Sequence, residues 1–562
     1  MPEIYARARP RRGTSLRKPP SSGRLWCPAP CRRGAGLRTV SGALTIRQPE
    51  AAVPPTPTRP PRPGRPRRAP WSRRGGAADR RRRGTYTAPL AAAAGLLLCG
   101  GLLSPAAASP AGSEGRGGGH CDRLHRVHVP GAAHQQAACL AELTTAGTVE
   151  SGHTVPADWA GLTASGTDAP TGVPGIQIDG YFPDSSSGNT HHGWDHDAQF
   201  VIRLPDDWNG GLVVTGAPGV RAQYANDRAI ADHVLSRGYA FASTDKGNVG
   251  GTFYRDGRRP GDAVAEWNHR VTQLTRAARA AVVQRYHRPP ERTLAAGLSN
   301  GGYLVRWQLE NRPWLYDGGV DWEGTLWRAD GRDRTETGRG PNLFTFLPPA
   351  LRAYPDYAAG GEGADEAHAR MVDAGFPAGS EFLWPYHHDF YWDITQRIYR
   401  EEFDPAYDGD REAGTPFCPP GSGPGCDTDY AYADRPHHVH RAVERIGLTG
   451  RIGRPLITFH GTLDVLLPIS RSSDVYARMV HEAGRGDLLR YYRVEDGTHV
   501  DGLFDTYPER LRPLEPCFRS SFAALDGWLD GHSRPPRSRT IERPAGADRD
   551  ELTASCRLDA AD

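Results

Sequence analysis

Apolar and polar residues alternate in two early stretches, Gly175–Tyr181 and Ala198–Leu204, the period-two pattern of a half-buried strand. Leu212–Thr215 and Tyr239–Ser243 are short apolar runs that suit fully buried strands. Between 262 and 286 the period lengthens. Val264, Trp267, Val271, Leu274, Ala278 and Val282 recur every three or four residues, which predicts one long helix. Thr293–Gly297 reads as a strand, the chain turns sharply at Ser299 into a helix, and another short strand ends at Val320-Asp321. The alternation then stops for more than a hundred residues. It resumes with a strand at Pro455–His460, a helix near 470–482, a strand at Leu489–Val494 and a final helix near 508–531. Strands alternating with helices predict an α/β class with a mostly parallel sheet and helices on both faces.

The interruption, about 325–450, is too long for a plain loop in a compact domain. It is rich in aromatics, most densely from Trp384 to Trp392. We read it as an inserted cap over the carboxyl ends of the strands, where α/β sheets bind ligands. Trp384, Tyr386 and Trp392 are then candidate substrate contacts. The alternative is an insert whose aromatics form only its own small core. The core proper is expected at 173–324 and 451–535, with a loop-rich extension at 109–172 and a tail at 536–562.

The ends of the chain differ from its body. Residues 1–83 are dominated by Arg, Pro, Gly and Ser and cannot bury enough surface to offset chain entropy; disorder is expected there, and residues 1–78 are expected to precede the native start. Arg80–Arg83, the apolar run Ala88–Leu103 and Ala106-Ala107-Ala108 follow the charged, apolar, small-residue order of a secretory signal at 84–108. The run is short and broken by Pro89 and glycines, so cleavage is favoured over a stable membrane anchor, and bulky Leu98 before Cys99 suits a lipid anchor poorly. The net charge of +4 hides this asymmetry: residues 109–562 carry 47 Lys and Arg against 62 Asp and Glu. An acidic body argues against nucleic acid as a partner. Six cysteines follow the signal, and an even number in an oxidising compartment suggests disulfides. Six allow fifteen pairings; neighbour pairing, Cys121–Cys139, Cys418–Cys426 and Cys517–Cys556, is expected because each closes a local loop.

Gly297-Leu298-Ser299-Asn300-Gly301 matches G-x-S-x-G. A nucleophile on a strand-to-helix turn is backbone-strained, so residues two positions away must be small, and the helix start beyond it stabilises negative charge. A serine hydroxyl also needs a base. His499 follows a late strand and Asp464 follows the strand before it, giving the order Ser…Asp…His of the α/β-hydrolase fold. Asp321 and Glu323 are runner-up acids, and His460, at a strand end, is assigned local packing or hydrogen bonding. Asp496 and Asp501 flank the base and are expected to be solvated. The oxyanion would rest on the N–H of Asn300 and on Ala217 or Gly219, in the turn after the strand ending at Thr215; Pro218 has no N–H. His191–Asp197 and His437–His440 are rich in ligand-type residues but lack a recognised metal spacing, and Asp427 and Asp429 lack a calcium-loop pattern, so no metal and no cofactor is expected.

Gly297–Gly302, His460–Asp464 and Gly497-Thr498-His499 resemble the motifs of exported bacterial esterases in the tannase and feruloyl esterase group, and of the related 3-hydroxybutyrate oligomer hydrolases. Thr244-Asp245-Lys246-Gly247 is similar to a short stretch of the latter. The resemblance covers about 200–325 and 455–530 and implies a capped α/β-hydrolase that cleaves esters. Tannase-type enzymes join the nucleophile and histidine loops through two cysteines. Here those positions are Ala296 or Leu298 and Val500, so that bridge is absent and the hydroxyalkanoate side stays open. The expected function is a secreted Ser-His-Asp hydrolase of small or oligomeric esters. An amidase or peptidase of the same fold, or a catalytically inactive ligand-binding protein, are the alternatives.

Overall fold

A computed structural model describes residues 127–328, 342–407 and 430–558. Ten strands form one sheet: β1 (His134–Leu140), β2 (Gly175–Tyr181), β3 (Gln199–Pro205), β4 (Gly211–Gly216), β5 (Ala240–Thr244), β6 (Arg292–Leu298), β7 (Gly318–Trp322), β8 (Leu456–Gly461), β9 (Leu489–Val494) and β10 (Arg539–Ile541). Their spatial order is β1-β2-β3-β5-β4-β6-β7-β8-β9-β10. The first three strands and the β3–β5 pairing are antiparallel, and every pairing from β5 onward is parallel. This is the α/β-hydrolase arrangement.

Period-two alternation sorts each central strand onto two cores. Leu212 and Val214 of β4 and Ala295 of β6 face one core, with Trp267, Val271 and Leu274 of the helix Asp262–Tyr286 and Leu304 and Leu309 of the helix Asn300–Asn311. Val213, Leu294, Ala296, Ile457 and Phe459 face the other, against Phe518, Phe522 and Leu525 of the helix Glu515–Leu529. All six residues that predicted the long helix are buried in it. Each such side chain contributes about 1.5–3 kcal/mol by leaving water, so the face assignment resists a one-residue slip.

The sheet starts earlier and ends later than the alternation suggested. β1 comes from the extension expected to be loop-rich, and β10 from the expected tail. Both are edge strands, with β1 only partly buried, so neither carries a strong apolar pattern. A Cys517–Cys556 disulfide ties the tail to the helix Glu515–Leu529. Cys139 is also disulfide-bonded; Cys121 and the expected Cys418–Cys426 pair lie outside the described residues. So do the basic segment and the expected signal at 84–108. Among the described residues no helix is long and apolar enough to cross a membrane. The helix expected near 508–531 begins at Glu515, because Pro513 disfavours helical backbone before it, and a short helix, Arg549–Ala554, follows in the expected tail.

The described residues of the insertion form helices at Asn342–Ala359, Ala364–Ala374, Trp384–His387, Asp393–Phe403 and His437–Glu444. It enters after β7 and leaves before β8, so it is a cap set between the strand that follows Ser299 and the strand that precedes Asp464.

Candidate active site

Ser299 sits between β6 and the helix Asn300–Asn311 with φ 58° and ψ −117°, a conformation that L-residues rarely hold. The glycines of the motif follow from crowding at this turn. A Cβ on Gly297 would lie 2.3 Å from the backbone of Gly301, and one on Gly301 would lie 2.6 Å from the Gly216 carbonyl. The loops after β8 and β9 press together in the same way, since a Cβ on Gly461 would lie 2.3 Å from Gly497. That close approach brings the Asp464 and His499 loops side by side.

Ser299 Oγ lies 3.0 Å from His499 Nε2, and His499 Nδ1 lies 2.8 Å from Asp464 Oδ2. Asp464 is wholly buried; its Oδ1 accepts the N–H groups of Leu466 and Leu467 at 2.7 and 2.8 Å. With a carboxylate at Nδ1, the imidazole carries its hydrogen there and presents a lone pair to the serine hydroxyl. Burial alone would raise the Asp464 pKa, but His499 and His460 outweigh it and hold the carboxyl well below the usual range. Burial would lower the His499 pKa, and Asp464, then Glu323, overcome it and hold it above the ordinary value.

Glu323, weighed from sequence as a rival acid, shares the site. It follows β7, and its Oε2 is 3.4 Å from His499 Nδ1 while its Oε1 accepts the Gly461 N–H at 2.6 Å. Burial pushes its pKa up to about 7, with His460 opposing and Asp464 reinforcing. Asp321 does not reach the histidine: it pairs with Arg306 at 2.6 Å and accepts from Thr458 at 2.8 Å. His460 backs Asp464. Its Nε2 faces Asp464 Oδ2 at 3.1 Å and the Leu467 carbonyl at 3.0 Å, two acceptors, so it carries the hydrogen; Nδ1 then accepts from Ser473 at 2.7 Å. Glu323, His460 and Asp464 bring three ligand-type atoms close together, but His460 directs an N–H rather than a lone pair at Asp464, so its present tautomer does not suit a cation there.

Two of the flanking and oxyanion expectations change. Asp501 is not solvated: it is buried and accepts the N–H groups of Leu514 and Glu515 at 2.7 and 2.8 Å, capping the helix Glu515–Leu529. Asp496 is half-buried, 3.5 Å from Arg543. Ala217 donates its N–H to the Thr244 carbonyl at 2.9 Å, continuing the β4–β5 ladder, which leaves Gly219 in that turn. Gly219 has φ 51°, and its carbonyl accepts from Asn300 Nδ2 at 3.0 Å. The same Nδ2 donates to Tyr399 at 2.6 Å and Thr325 donates to Asn300 Oδ1 at 3.0 Å, so the Asn300 side chain ties the Gly219 turn, the nucleophile turn and the cap together. Tyr399 had no sequence mark beyond lying in the insertion.

The cap tryptophans expected to meet substrate are structural. Trp384 is fully buried against Tyr357, His368 and Phe376, and its indole N–H donates to Ser380 at 2.9 Å. Trp392 is fully buried against Tyr354 and Phe376 and donates to the Val465 carbonyl at 2.9 Å. Tyr386 is half-buried, with its hydroxyl 3.3 Å from that of Tyr391. The His191–Asp197 run is a hydrogen-bonding loop: His191 pairs with Asp158 at 2.8 Å, and His192 bonds Tyr224.

Residues 187–318 match the family described as tannase and feruloyl esterase, and residues 425–554 match the 3HB-oligomer hydrolase family. The first span holds the Gly216–Gly219 turn and Ser299; the second holds Asp464 and His499. The chain resembles the tannase/feruloyl esterase and 3-hydroxybutyrate oligomer hydrolase group. A D-(-)-3-hydroxybutyrate oligomer hydrolase from Azoarcus sp. (strain BH72) is 29% identical over 110 residues, 18% of this chain and 16% of that relative, so the match spans about a sixth of the relative's length. Feruloyl esterase B from Aspergillus oryzae has 13% identity and a TM-score of 0.44, covering 76% of this chain and 92% of that one. Tannin acyl hydrolase from Aspergillus niger has 13% identity and a TM-score of 0.40, covering 71% and 83%.

Proposed function

We propose that this chain is an exported serine hydrolase of carboxylic esters, with Ser299 as nucleophile, His499 as general base and Asp464 as the acid that orients it. The observation that carries the reading is the unbroken line from Ser299 Oγ to His499 at 3.0 Å and on to Asp464 at 2.8 Å, set on a strained strand-to-helix turn. Ser299 attacks the ester carbonyl as His499 Nε2 takes its proton. Asp464 keeps the hydrogen on Nδ1 and stabilises the imidazolium. The oxyanion forms beside the N–H of Asn300, which has no partner inside its helix, and that of Gly219. His499 then protonates the leaving alcohol, and water repeats the sequence on the acyl-enzyme. Phenolic esters and hydroxyalkanoate oligomers are the proposed substrates, one for each of the two family matches. Export is supported by the charged, apolar, small-residue order before Ser109 and by the Cys517–Cys556 disulfide.

The test is hydrolysis by the chain starting near Ser109 of p-nitrophenyl acetate and butyrate, methyl ferulate, methyl gallate and a 3-hydroxybutyrate dimer. Turnover that disappears in Ser299→Ala is the expected result, and the preferred ester chooses between the two substrate classes. A Ser299→Ala variant that keeps most of the activity, or folded parent protein that fails both to turn over esters and to react with a fluorophosphonate, would refute it.

A further inference from the structure

The loop that carries His499 is held from behind by a part of the chain remote from the triad. It leaves β9 at Val494, and its second residue, Asp496, has φ 58°. A residue with a side chain keeps that left-handed conformation only where its surroundings over-determine it. The Asp496 N–H donates to Thr462 Oγ1 at 3.1 Å, and the Asp496 carbonyl accepts the Arg512 N–H at 2.9 Å. Gly497 then passes so close to Leu514 and Gly461 that a Cβ on it would lie 2.7 and 2.9 Å from them. His499 follows two residues later.

Arg512 also reaches the other way. Its buried guanidinium donates to the Glu542 and Cys556 carbonyls, each at 2.8 Å, and both belong to the segment after the helix Glu515–Leu529. Among the described residues no carboxylate pairs with it. A buried cation without a counter-charge is costly, and an apolar side chain of similar size would fill the space without that cost. What the arginine adds is a span: two carbonyls fix its head, and the fixed head sets where its own backbone N–H meets Asp496. The C-terminal segment is fastened in turn. Ile541 of β10 pairs with Val494 and accepts the Glu495 N–H at 3.0 Å, and the Arg543 N–H donates to the Glu495 carboxylate at 2.7 Å. The far end is closed by the disulfide from Cys556 to Cys517, both wholly buried.

We infer that Arg512 is a positioning residue for His499, and that the C-terminal segment from β10 to Cys556, closed by the Cys517–Cys556 disulfide, is the strap that anchors it. The inference rests on the esterase reading and adds what holds its base in place. Ser299 Oγ and His499 Nε2 stand 3.0 Å apart, and a base displaced by about 1 Å loses about 100-fold in rate. With the strap loosened, Asp496 is free to leave the left-handed region, and the loop shifts His499 with it.

The experiment measures kcat and KM on p-nitrophenyl butyrate, well below each Tm and per molecule folded by circular dichroism. The variants are Arg512→Met, Arg512→Lys, the pair Cys517→Ser with Cys556→Ser, and that pair combined with Arg512→Met. In Arg512→Met, kcat should fall about 10- to 100-fold with KM within about two-fold of the parent. Arg512→Lys keeps the charge but cannot span both carbonyls, so its kcat should fall only about 3- to 10-fold. The cysteine pair should lower kcat in the same way, and Arg512→Met should cost less on that background than alone, because the strap is already slack. If Arg512→Met does not fold, the lysine variant and the cysteine pair carry the comparison. Variants that lose Tm but keep kcat, or that change KM alone, would overturn the inference and leave the esterase reading standing. Losses that simply multiply in the combined variant would overturn it too, since the strap would then not act through Arg512. Folded parent that hydrolyses no ester would overturn both.

Discussion

Removing Asp464 should do less harm with alanine than with the nearly isosteric asparagine, because a second carboxylate stands ready at the same nitrogen. Asp464 Oδ2 is 2.8 Å from His499 Nδ1 and Glu323 Oε2 is 3.4 Å from it. At an effective dielectric constant of about 20, those two distances differ by about 1 kcal/mol in attraction for an imidazolium. The longer hydrogen bond forfeits about 1 kcal/mol more of a charge-assisted contact. Asp464→Ala, with Glu323 in its place, should therefore lose about 2 kcal/mol of transition-state stabilisation, about 30-fold in kcat/KM. Glu323 should also ionise more readily in that variant, since the Asp464 charge that raises its pKa is gone. Asp464→Asn is different. Its oxygen can keep the Leu466 and Leu467 N–H groups, which turns its amide NH2 toward His499 Nδ1 and toward the His460 N–H. That forces the hydrogen of His499 onto Nε2, the tautomer that cannot accept a proton from Ser299, and the loss should be about 10⁴-fold. The Asp464→Ala, Glu323→Gln double variant should fall to the level of Asp464→Asn, while Glu323→Gln alone should stay within a few-fold of the parent. The assay is kcat/KM on p-nitrophenyl butyrate, with active sites counted by fluorophosphonate titration so that loosening of the Leu466–Leu467 loop is not read as chemistry. If Asp464→Ala alone is as inactive as the double variant at an equal count of folded sites, Glu323 is no substitute acid and the reasoning fails.

Asn300→Ala removes the tether from the nucleophile turn to Gly219, Tyr399 and Thr325; kcat should fall about 10- to 100-fold with KM changed little, and a rise confined to KM would contradict the oxyanion assignment. Asp197 is wholly buried, and burial, then the charge of Asp245, push its carboxyl up to about 8. Its folded pKa exceeds its unfolded one, so the stability it contributes is full below about pH 4 and is lost as pH rises through 8, by about 1.4 kcal/mol per unit. Asp197→Asn should thus gain in Tm over the parent on going from pH 5 to pH 8 in thermal melts, and a difference independent of pH would contradict this.

That Ser299, Asp464 and His499 come together was legible because each position is fixed locally. Ser299 directly follows β6, Asp464 and His499 lie in the loops after β8 and β9, and the glycines around them are demanded by approaches too close for a Cβ. The choice between Asp464 and Glu323 was not legible as a choice, since both reach His499. That depends on β7 and β8 being neighbours, with the Glu323 N–H donating to the Phe459 carbonyl at 3.1 Å. Trp384 and Trp392 misled for a reason of period. Eight residues apart on helical backbone, they share one face, and within a short insert that pattern describes the inside of the cap as well as its underside. Asp501 misled because a capping carboxylate takes its role from a helix thirteen residues on.

The two family matches leave residues 319–424 uncovered, and that span contains most of the cap. The two matched spans hold the strands and loops that carry Ser299, Asp464 and His499. The cap is not an independent module, however. Tyr399 holds Asn300 beside the nucleophile at 2.6 Å, Trp392 holds the acid loop at Val465 at 2.9 Å, and Glu402 accepts the Val264 N–H at the start of the long helix at 3.1 Å. A cap fastened to both the nucleophile turn and the acid loop cannot change its substrate contacts without shifting the groups that do the chemistry. Substitutions at those three tie points should therefore act on kcat.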